Sequence, residues 1–389
     1  MRTIKMSTQT DILIIGGGVI GCSIARELAL RGKNTTIIER GEPCREASWA
    51  AAGALVVRAL GPEVDPLVEF KKASLALFEE HTKDLFDDTG IDSGYRKSGG
   101  LDLFPTDDEI QEIDAFVALQ EQHSIQADRL TERDLRKLEP NLTADIKHGV
   151  LFPTFVQVRT PWYTRALLTS AIKHGAKIET HTEVRDFIRE GDRIVGVQTD
   201  REEFFADTTI LAGGPWTPAL ARLTGCDLPG VPVKGQMILL FDRTHPVNHI
   251  INHGKTYLTP RDEGRIVVGS TEEWVGFQRQ NTVEGISHLL DRAKRFYPCL
   301  EQASVERIWH GFRPLTVDGL PYIGRISGLD GLFVSTGHYR SGIMLAPITG
   351  KVVSDLLYRE TPSFDITPFS PDRLSAMQTV DLSPRTDFE

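Results

Sequence analysis

The feature that most constrains this chain lies near its start, in the run Asp11-Ile12-Leu13-Ile14-Ile15-Gly16-Gly17-Gly18-Val19-Ile20-Gly21. Consecutive aliphatic residues meeting glycines read as a short buried strand that breaks into a turn. The amphipathic stretch 19–31, closed by Gly32, reads as the helix behind it. Gly16, Gly18 and Gly21 carry the G-x-G-x-x-G spacing. In that pattern the first glycine permits the turn, the second lets backbone approach a phosphate, and the third lets helix and strand pack closely. The start of the helix presents unpaired N–H groups and partial positive charge to the anion. A second strand, 35–38, ends in Glu39, whose carboxylate is placed to accept ribose hydroxyls and to repel a 2′-phosphate. Strand, turn, helix and acid agree on a bound dinucleotide. They leave NAD and FAD open.

A chain of 389 residues is long enough for two domains. Its net charge of −10 argues against a nucleic-acid partner or an anionic membrane surface. The polar segment 1–10 lacks the apolar run of a signal peptide, and no long uncharged apolar window follows, so a cytoplasmic protein without a membrane partner is expected. Cys22, Cys44, Cys226 and Cys299 are scattered, with no C-x-x-C pair and no ligand spacing; no metal is expected.

After Glu39 and Arg40 comes a stretch of small residues, Ala47-Ser48-Trp49-Ala50-Ala51-Ala52-Gly53, which lets backbone pass close to a large planar cofactor. Helices are expected over 66–88, over 107–123 behind a Thr106/Glu109 capping box, from 131 to Glu139-Pro140, and over 160–174 with proline near its start and Gly175 after its end. They read as scaffold. Strands over 178–182, 184–189 and 194–199 lead into a second strand that runs into glycines, Ile210-Leu211-Ala212-Gly213-Gly214-Pro215-Trp216, with a helix over 217–223. Antiparallel strands over 236–241, 256–259 and 265–270 and a helix over 283–296 suit a substrate domain. A third glycine-ended strand, 331–337, precedes a helix over 344–358; beyond Glu360 the tail is expected to fray. Three such strands spread along the chain suit FAD better than NAD, because the longer cofactor needs a discontinuous domain to hold both its ends.

The stretches 12–32, 47–53 and 212–216, with Gly311-Phe312-Arg313-Pro314, Asp318-Gly319-Leu320-Pro321-Tyr322-Ile323-Gly324 and Gly337-His338-Tyr339-Arg340-Ser341-Gly342-Ile343-Met344-Leu345-Ala346-Pro347, resemble the D-amino-acid oxidase family of flavoenzymes. The likeness runs from Asp11 to about Tyr358 and is strongest to the glycine-oxidising branch, which serves thiamine thiazole biosynthesis. It implies an α/β fold: a discontinuous FAD-binding Rossmann-like domain (8–96, 150–228 and 310–365), an α+β substrate domain with an antiparallel sheet (97–149 and 229–309), and a tail over 366–389. It assigns FAD to Gly16, Gly18, Val19, Ile20, Gly21, Glu39, Arg40, Ala47, Ser48, Ala51, Ala52, Gly53, Val184, Ala212, Gly213, Trp216, His338, Tyr339, Arg340, Ser341, Gly342, Ile343 and Met344.

An arginine among apolar residues commonly lies at the surface with a packed stem. A guanidinium is also the group that grips a carboxylate with two parallel hydrogen bonds, which an ammonium does not. The resemblance implies the second role for Arg313, assisted by Tyr257 and, near the same pocket, Arg340. Two departures stand out. Glu272, followed by Glu273, occupies a position that is often apolar in the branch, and His310 stands where sarcosine-oxidising relatives tether flavin through cysteine. Non-covalent FAD is therefore expected.

The expected reaction is oxidative deamination of glycine, sarcosine or small D-amino acids by dioxygen. It gives glyoxylate or another 2-oxo acid, ammonia and hydrogen peroxide, and the resemblance implies a homotetramer. Hydride transfer to the flavin needs no side-chain base once the amine is neutral, so His310 and His338 are read as packing or hydrogen-bonding groups. The alternatives are a D-amino-acid or sarcosine dehydrogenase or oxidase of the same fold, a tRNA-modifying relative, and a nucleotide-binding protein without turnover.

Overall fold

In the computed structural model, which describes residues 8–376 and 386–387, the aliphatic run near the start forms the strand Thr8–Ile15 inside an eight-stranded sheet. Leu13 and Ile14 are fully buried there, as an interior parallel strand requires. Thr35–Ile38 pairs parallel on one side and Glu203–Leu211 on the other; Leu332–Thr336 adds in parallel beyond Glu203–Leu211. The three strands that end in glycine, far apart in sequence, thus lie side by side with their carboxyl ends together. The hairpin Val184–Glu190 and Arg193–Thr199 extends the sheet antiparallel from Glu203–Leu211.

The helices Val19–Leu30, Thr160–Lys173 and Gly342–Leu357 belong to one apolar core with this sheet. Two buried polar links tie them: Ser23 Oγ donates to Ala346 O at 2.7 Å and Arg26 Nε donates to Ser170 Oγ at 3.0 Å. The long helix Pro66–Thr89 starts where Asp65 Oδ1 accepts from Leu67 N at 2.7 Å and stops at Gly90 in the left-handed region. Thr106 and Glu109 close the capping box expected for the helix Asp107–Gln122.

A second, ten-stranded sheet is built on the pairing of Gly230–Phe241 with Ser304–Thr316, and Arg265–Gly269 and Thr256–Pro260 follow in antiparallel order. Ile250–His253 then pairs parallel with Gly100–Leu103, so the sheet is mixed rather than purely antiparallel. The thirteen-residue strand Ser304–Thr316, which carries Arg313, has no counterpart among the expected elements. Its first half is exposed, Val305 and Ile308 included, so the alternation that marks a half-buried strand is missing.

The expectation of a fraying tail is corrected for residues 361–373. Phe369 is fully buried, its ring 4.9 Å from Phe70, and Arg373 Nε lies 2.7 Å from Asp318 Oδ2. Two aromatic residues, Phe364 and Phe369, outweigh the polar composition around them. The rest of that tail, 377–385 and 388–389, lies outside the described residues.

Candidate active site

A cleft of about 440 Å³ opens where the three glycine-ended strands converge. Gly16 sits at φ +115°, and a Cβ on it would lie 2.5 Å from Ala212 O, so the first two glycine turns touch through backbone alone. At the start of the helix behind, Val19 N donates to Ser48 Oγ at 2.9 Å. Glu39 closes the adjacent edge: its two oxygens accept from Gly17 N at 2.8 Å and Gly41 N at 2.9 Å, which fixes the carboxylate at the cleft wall. Across the cleft the Arg40 guanidinium lies 3.8 Å over the Trp216 ring, which stacks on Phe277. A helix N-terminus, a glycine cradle and an acid on the second strand are the donor set that a dinucleotide requires. The residues present fit FAD.

Of the residues expected at this site, Gly16, Gly18, Val19, Ile20, Glu39, Arg40, Ala47, Ser48, Ala51, Val184, Ala212, Gly213, Trp216, His338, Tyr339, Arg340, Gly342 and Ile343 border the cleft. Five others stand behind it. Gly21 packs its helix on the strand, a Cβ there falling 2.0 Å from Gly16 O; Gly53 likewise meets Val158 O, at 2.1 Å. Ala52 packs with Met237 and Val267 while its carbonyl accepts from Arg261. Ser341 precedes the helix Gly342–Leu357 as its N-cap, and Met344 is buried with its carbonyl bonded to Ser74 Oγ at 2.5 Å. Thr182, Leu220, Pro314 and Thr336 also line the cleft and were not anticipated. Pro314 and Thr336 adjoin recognised motifs, whereas Thr182 and Leu220 carry no signal in the sequence.

Arg313, the expected carboxylate clamp, stands on the second sheet. Arg313 pairs with Val233 across the two long strands, and its guanidinium lies over Gly235, where a Cβ would stand 2.3 Å from Nη2. Arg313 Nη1 donates to Thr271 O at 3.2 Å and Nη2 donates to Ser270 Oγ, so both partners are neutral. Burial, reinforced by Arg340, lowers the Arg313 pKa, and Tyr257, Tyr339 and Glu272 act in the opposite sense. All four thus share its electrostatic neighbourhood. Tyr257 faces Gly269 on the neighbouring strand and donates its hydroxyl to Met237 Sδ at 3.2 Å. Arg340 is exposed at the cleft edge.

Tyr339 joins the two regions. It borders the cleft, and its hydroxyl donates to Glu272. Burial and then that bond raise its pKa, which keeps it a neutral donor. Glu272 Oε2 lies 3.7 Å from Lys255 Nζ. Glu273 does something different. It pairs with Lys234 at 2.7 Å and accepts from Gln236 Nε2 at 2.8 Å and Thr271 Oγ1 at 2.5 Å, a buried network that holds Thr271 against Arg313.

Neither histidine is placed as a base. Burial lowers His338 to about 3, and its Nε2 lies 3.2 Å from Thr349 Oγ1. His310, lowered by burial and then by Lys234 and Arg279, bonds Asn281 Oδ1 at 3.1 Å. No helix among the described residues is long and apolar enough to cross a membrane.

Comparison with known proteins agrees with this geometry. The chain is 36% identical over 367 residues to a glycine oxidase of Pseudomonas aeruginosa, which covers 92% of this chain and 98% of that one. It is 36% identical to the bifunctional protein ThiO/ThiG of Synechocystis over 95% of this chain and 54% of that longer protein. The crystal structure of glycine oxidase from Geobacillus kaustophilus superposes with a TM-score of 0.89 at 33% identity, covering 93% of this chain and 98% of that one. Residues 11–356 match the family described as DAO, FAD dependent oxidoreductase. The chain belongs to that family.

Proposed function

We propose that this FAD-dependent oxidoreductase deaminates glycine oxidatively, takes sarcosine and small D-amino acids as further substrates, and serves thiamine thiazole biosynthesis. The observation that carries the reading is Arg313: a guanidinium on the clamp strand whose two hydrogen bonds go to a carbonyl and a hydroxyl, not to a carboxylate of the chain. Such a group is prepared for a ligand's carboxylate. The glycine oxidases among the relatives, and the likeness to ThiO/ThiG, support the substrate and the pathway.

FAD, held by the glycine turns, the helix start at Val19 and Glu39, supplies the two-electron acceptor chemistry. The chain's own residues orient the substrate. Arg313, with Tyr257 and Arg340, takes the carboxylate; Tyr339 and its partner Glu272 form the wall between that carboxylate and the cleft. Burial, which lowers His338 to about 3, makes that histidine a poor proton acceptor, which suits a reaction that begins from the neutral amine. Overall, glycine, dioxygen and water give glyoxylate, ammonia and hydrogen peroxide. FAD is bound without a covalent tether, His310 standing at the tethering position.

The two sheets support a division into an FAD-binding part (8–96, 150–228, 310–365) and a substrate part (97–149, 229–309), with the second-sheet strands Gly149–Phe152 and Ser304–Thr316 crossing its boundaries. The family resemblance supports a cytoplasmic homotetramer. A peroxide-coupled substrate panel on the yellow protein, repeated with Arg313→Ala, tests the reading. Glycine turnover that collapses in the variant is expected; unchanged turnover would overturn the clamp.

A further inference from the structure

One segment leaves the second sheet and lies against the cofactor side. Residues 274–282 join the strand Glu272–Glu273 to the helix Val283–Phe296 without regular structure, turning at Gly276, φ +62°. Both ends are fixed. Glu273 pairs with Lys234 at 2.7 Å, and Lys234 Nζ also donates to Gln280 O at 3.1 Å. Gln236 Oε1 accepts from Thr282 N at 2.8 Å, while its Nε2 donates to Thr282 Oγ1 at 2.9 Å. The buried tier that holds Thr271 against Arg313 therefore also holds the roots of this segment.

Its middle reaches across to the first sheet. The Phe277 ring stacks on Trp216, with centroids 4.9 Å apart and planes 12° apart, and meets Phe312 edge-on at 5.4 Å. Trp216 borders the cofactor cleft, and Phe312 directly precedes Arg313. Arg279 Nη2 donates to Glu46 Oε1 at 2.9 Å. These two contacts converge on one residue of the cleft. The Arg40 guanidinium lies 3.8 Å over the Trp216 ring, and its Nη2 lies 3.9 Å from Glu46 Oε1.

Magnitudes rank the two contacts. The Arg279 and Glu46 side chains are 55% and 38% exposed, and an ion pair so exposed contributes little. The aromatic stack is the stronger anchor. Phe277 is itself 42% exposed, so little of the core depends on it, and its removal bears mainly on Trp216.

We propose that residues 274–282 are a strap by which the substrate sheet retains FAD, with Phe277 as the positioning residue that holds Trp216, and through it Arg40, at the cleft wall. Phe277 acts through Trp216 rather than by bordering the cleft. The inference concerns the cofactor and holds whichever amino acid is oxidised.

The test is the affinity for FAD, read as the flavin fluorescence released when the holoenzyme is diluted. Phe277→Ala is expected to weaken FAD binding by about threefold to tenfold, the loss of one aromatic pair, and Phe277→Tyr to keep the parental affinity. In a Trp216→Ala background, Phe277→Ala is expected to add no further loss. A Phe277→Ala protein that holds FAD as tightly as the parent overturns the strap. A Phe277→Tyr protein as weak as Phe277→Ala, or a full second loss on top of Trp216→Ala, overturns the role of the stacked ring. Should Phe277→Ala fail to fold, Phe277→Leu keeps an apolar side chain without the ring; the same loss is expected there, and parental affinity overturns the proposal. Loss of glycine turnover with FAD affinity behaving as stated would count against the oxidase reading alone.

Discussion

The cofactor cleft and the proposed clamp around Arg313 meet at Tyr339 but are made of different material. The cleft is shaped by backbone: glycine turns in contact, a helix start, and a carboxylate pinned by amide groups. The pocket is shaped by charged side chains on a sheet, positioned by a second, buried tier of polar groups. A site made of backbone fails when a single Cβ is added, while one made of charge fails when a partner is removed. Gly16→Val sets the largest expected effect. Its Cβ would stand 2.5 Å from Ala212 O in a conformation with positive φ, so the variant should be purified without flavin, read as the ratio of flavin to protein absorbance. A yellow Gly16→Val protein would break the comparison at its first term.

The tier behind the clamp comes next. Lys234 and Glu273 are 2.7 Å apart, with side chains 2% and 4% exposed. Removing one partner strands the other as a buried charge, so Lys234→Met should lower stability by about 3–5 kcal/mol in urea unfolding. Replacing both by apolar residues should recover most of that loss. A Lys234→Met protein as stable as the parent would mean that the pocket does not depend on this tier.

Arg313→Lys probes the clamp while keeping its charge. Only the planar fork matches a carboxylate with two parallel bonds, so kcat/KM for glycine should fall by about tenfold to a hundredfold with flavin content unchanged. An equal loss of flavin would show that the two regions are not separable in the way their construction suggests.

The same difference in material explains what was legible in the sequence. Backbone sites leave glycines at fixed spacing, which is why the three glycine-ended strands, the Gly16 turn and Glu39 were readable residue by residue. Side-chain sites leave only a residue type, and Arg313 was identifiable through a family resemblance rather than through any pattern of its own. The strand that carries it was missed because its exposed half lacks alternation. The opposite fates of Glu272 and Glu273 follow from strand alternation: successive side chains point to opposite faces, and only the sheet register sets which one meets Lys234.

The smallest effect at neutral pH concerns acid stability, and it sharpens the comparison by placing that sensitivity on the cofactor side. His81 lies in the core under the first sheet, packed near Phe78 and Tyr163, with Nε2 unpartnered. Burial, and then Arg26, lowers its pKa to about 3. The unfolded chain takes up a proton near pH 6.5, which the folded chain refuses until about pH 3. The contribution to stability is therefore complete above about pH 6.5 and is lost progressively as the pH falls towards 3. His81→Phe keeps a ring in place and removes the titrating group. At pH 7 it should change stability by no more than about 1 kcal/mol, in the stabilising direction, because a buried unpartnered nitrogen is removed. Its advantage over the parent should then widen steadily as unfolding is measured from pH 6.5 down to 4.5, with His338 leaving some residual pH dependence in both proteins. A constant gap across that range would shift the acid-sensitive step away from His81 and towards the charged pocket.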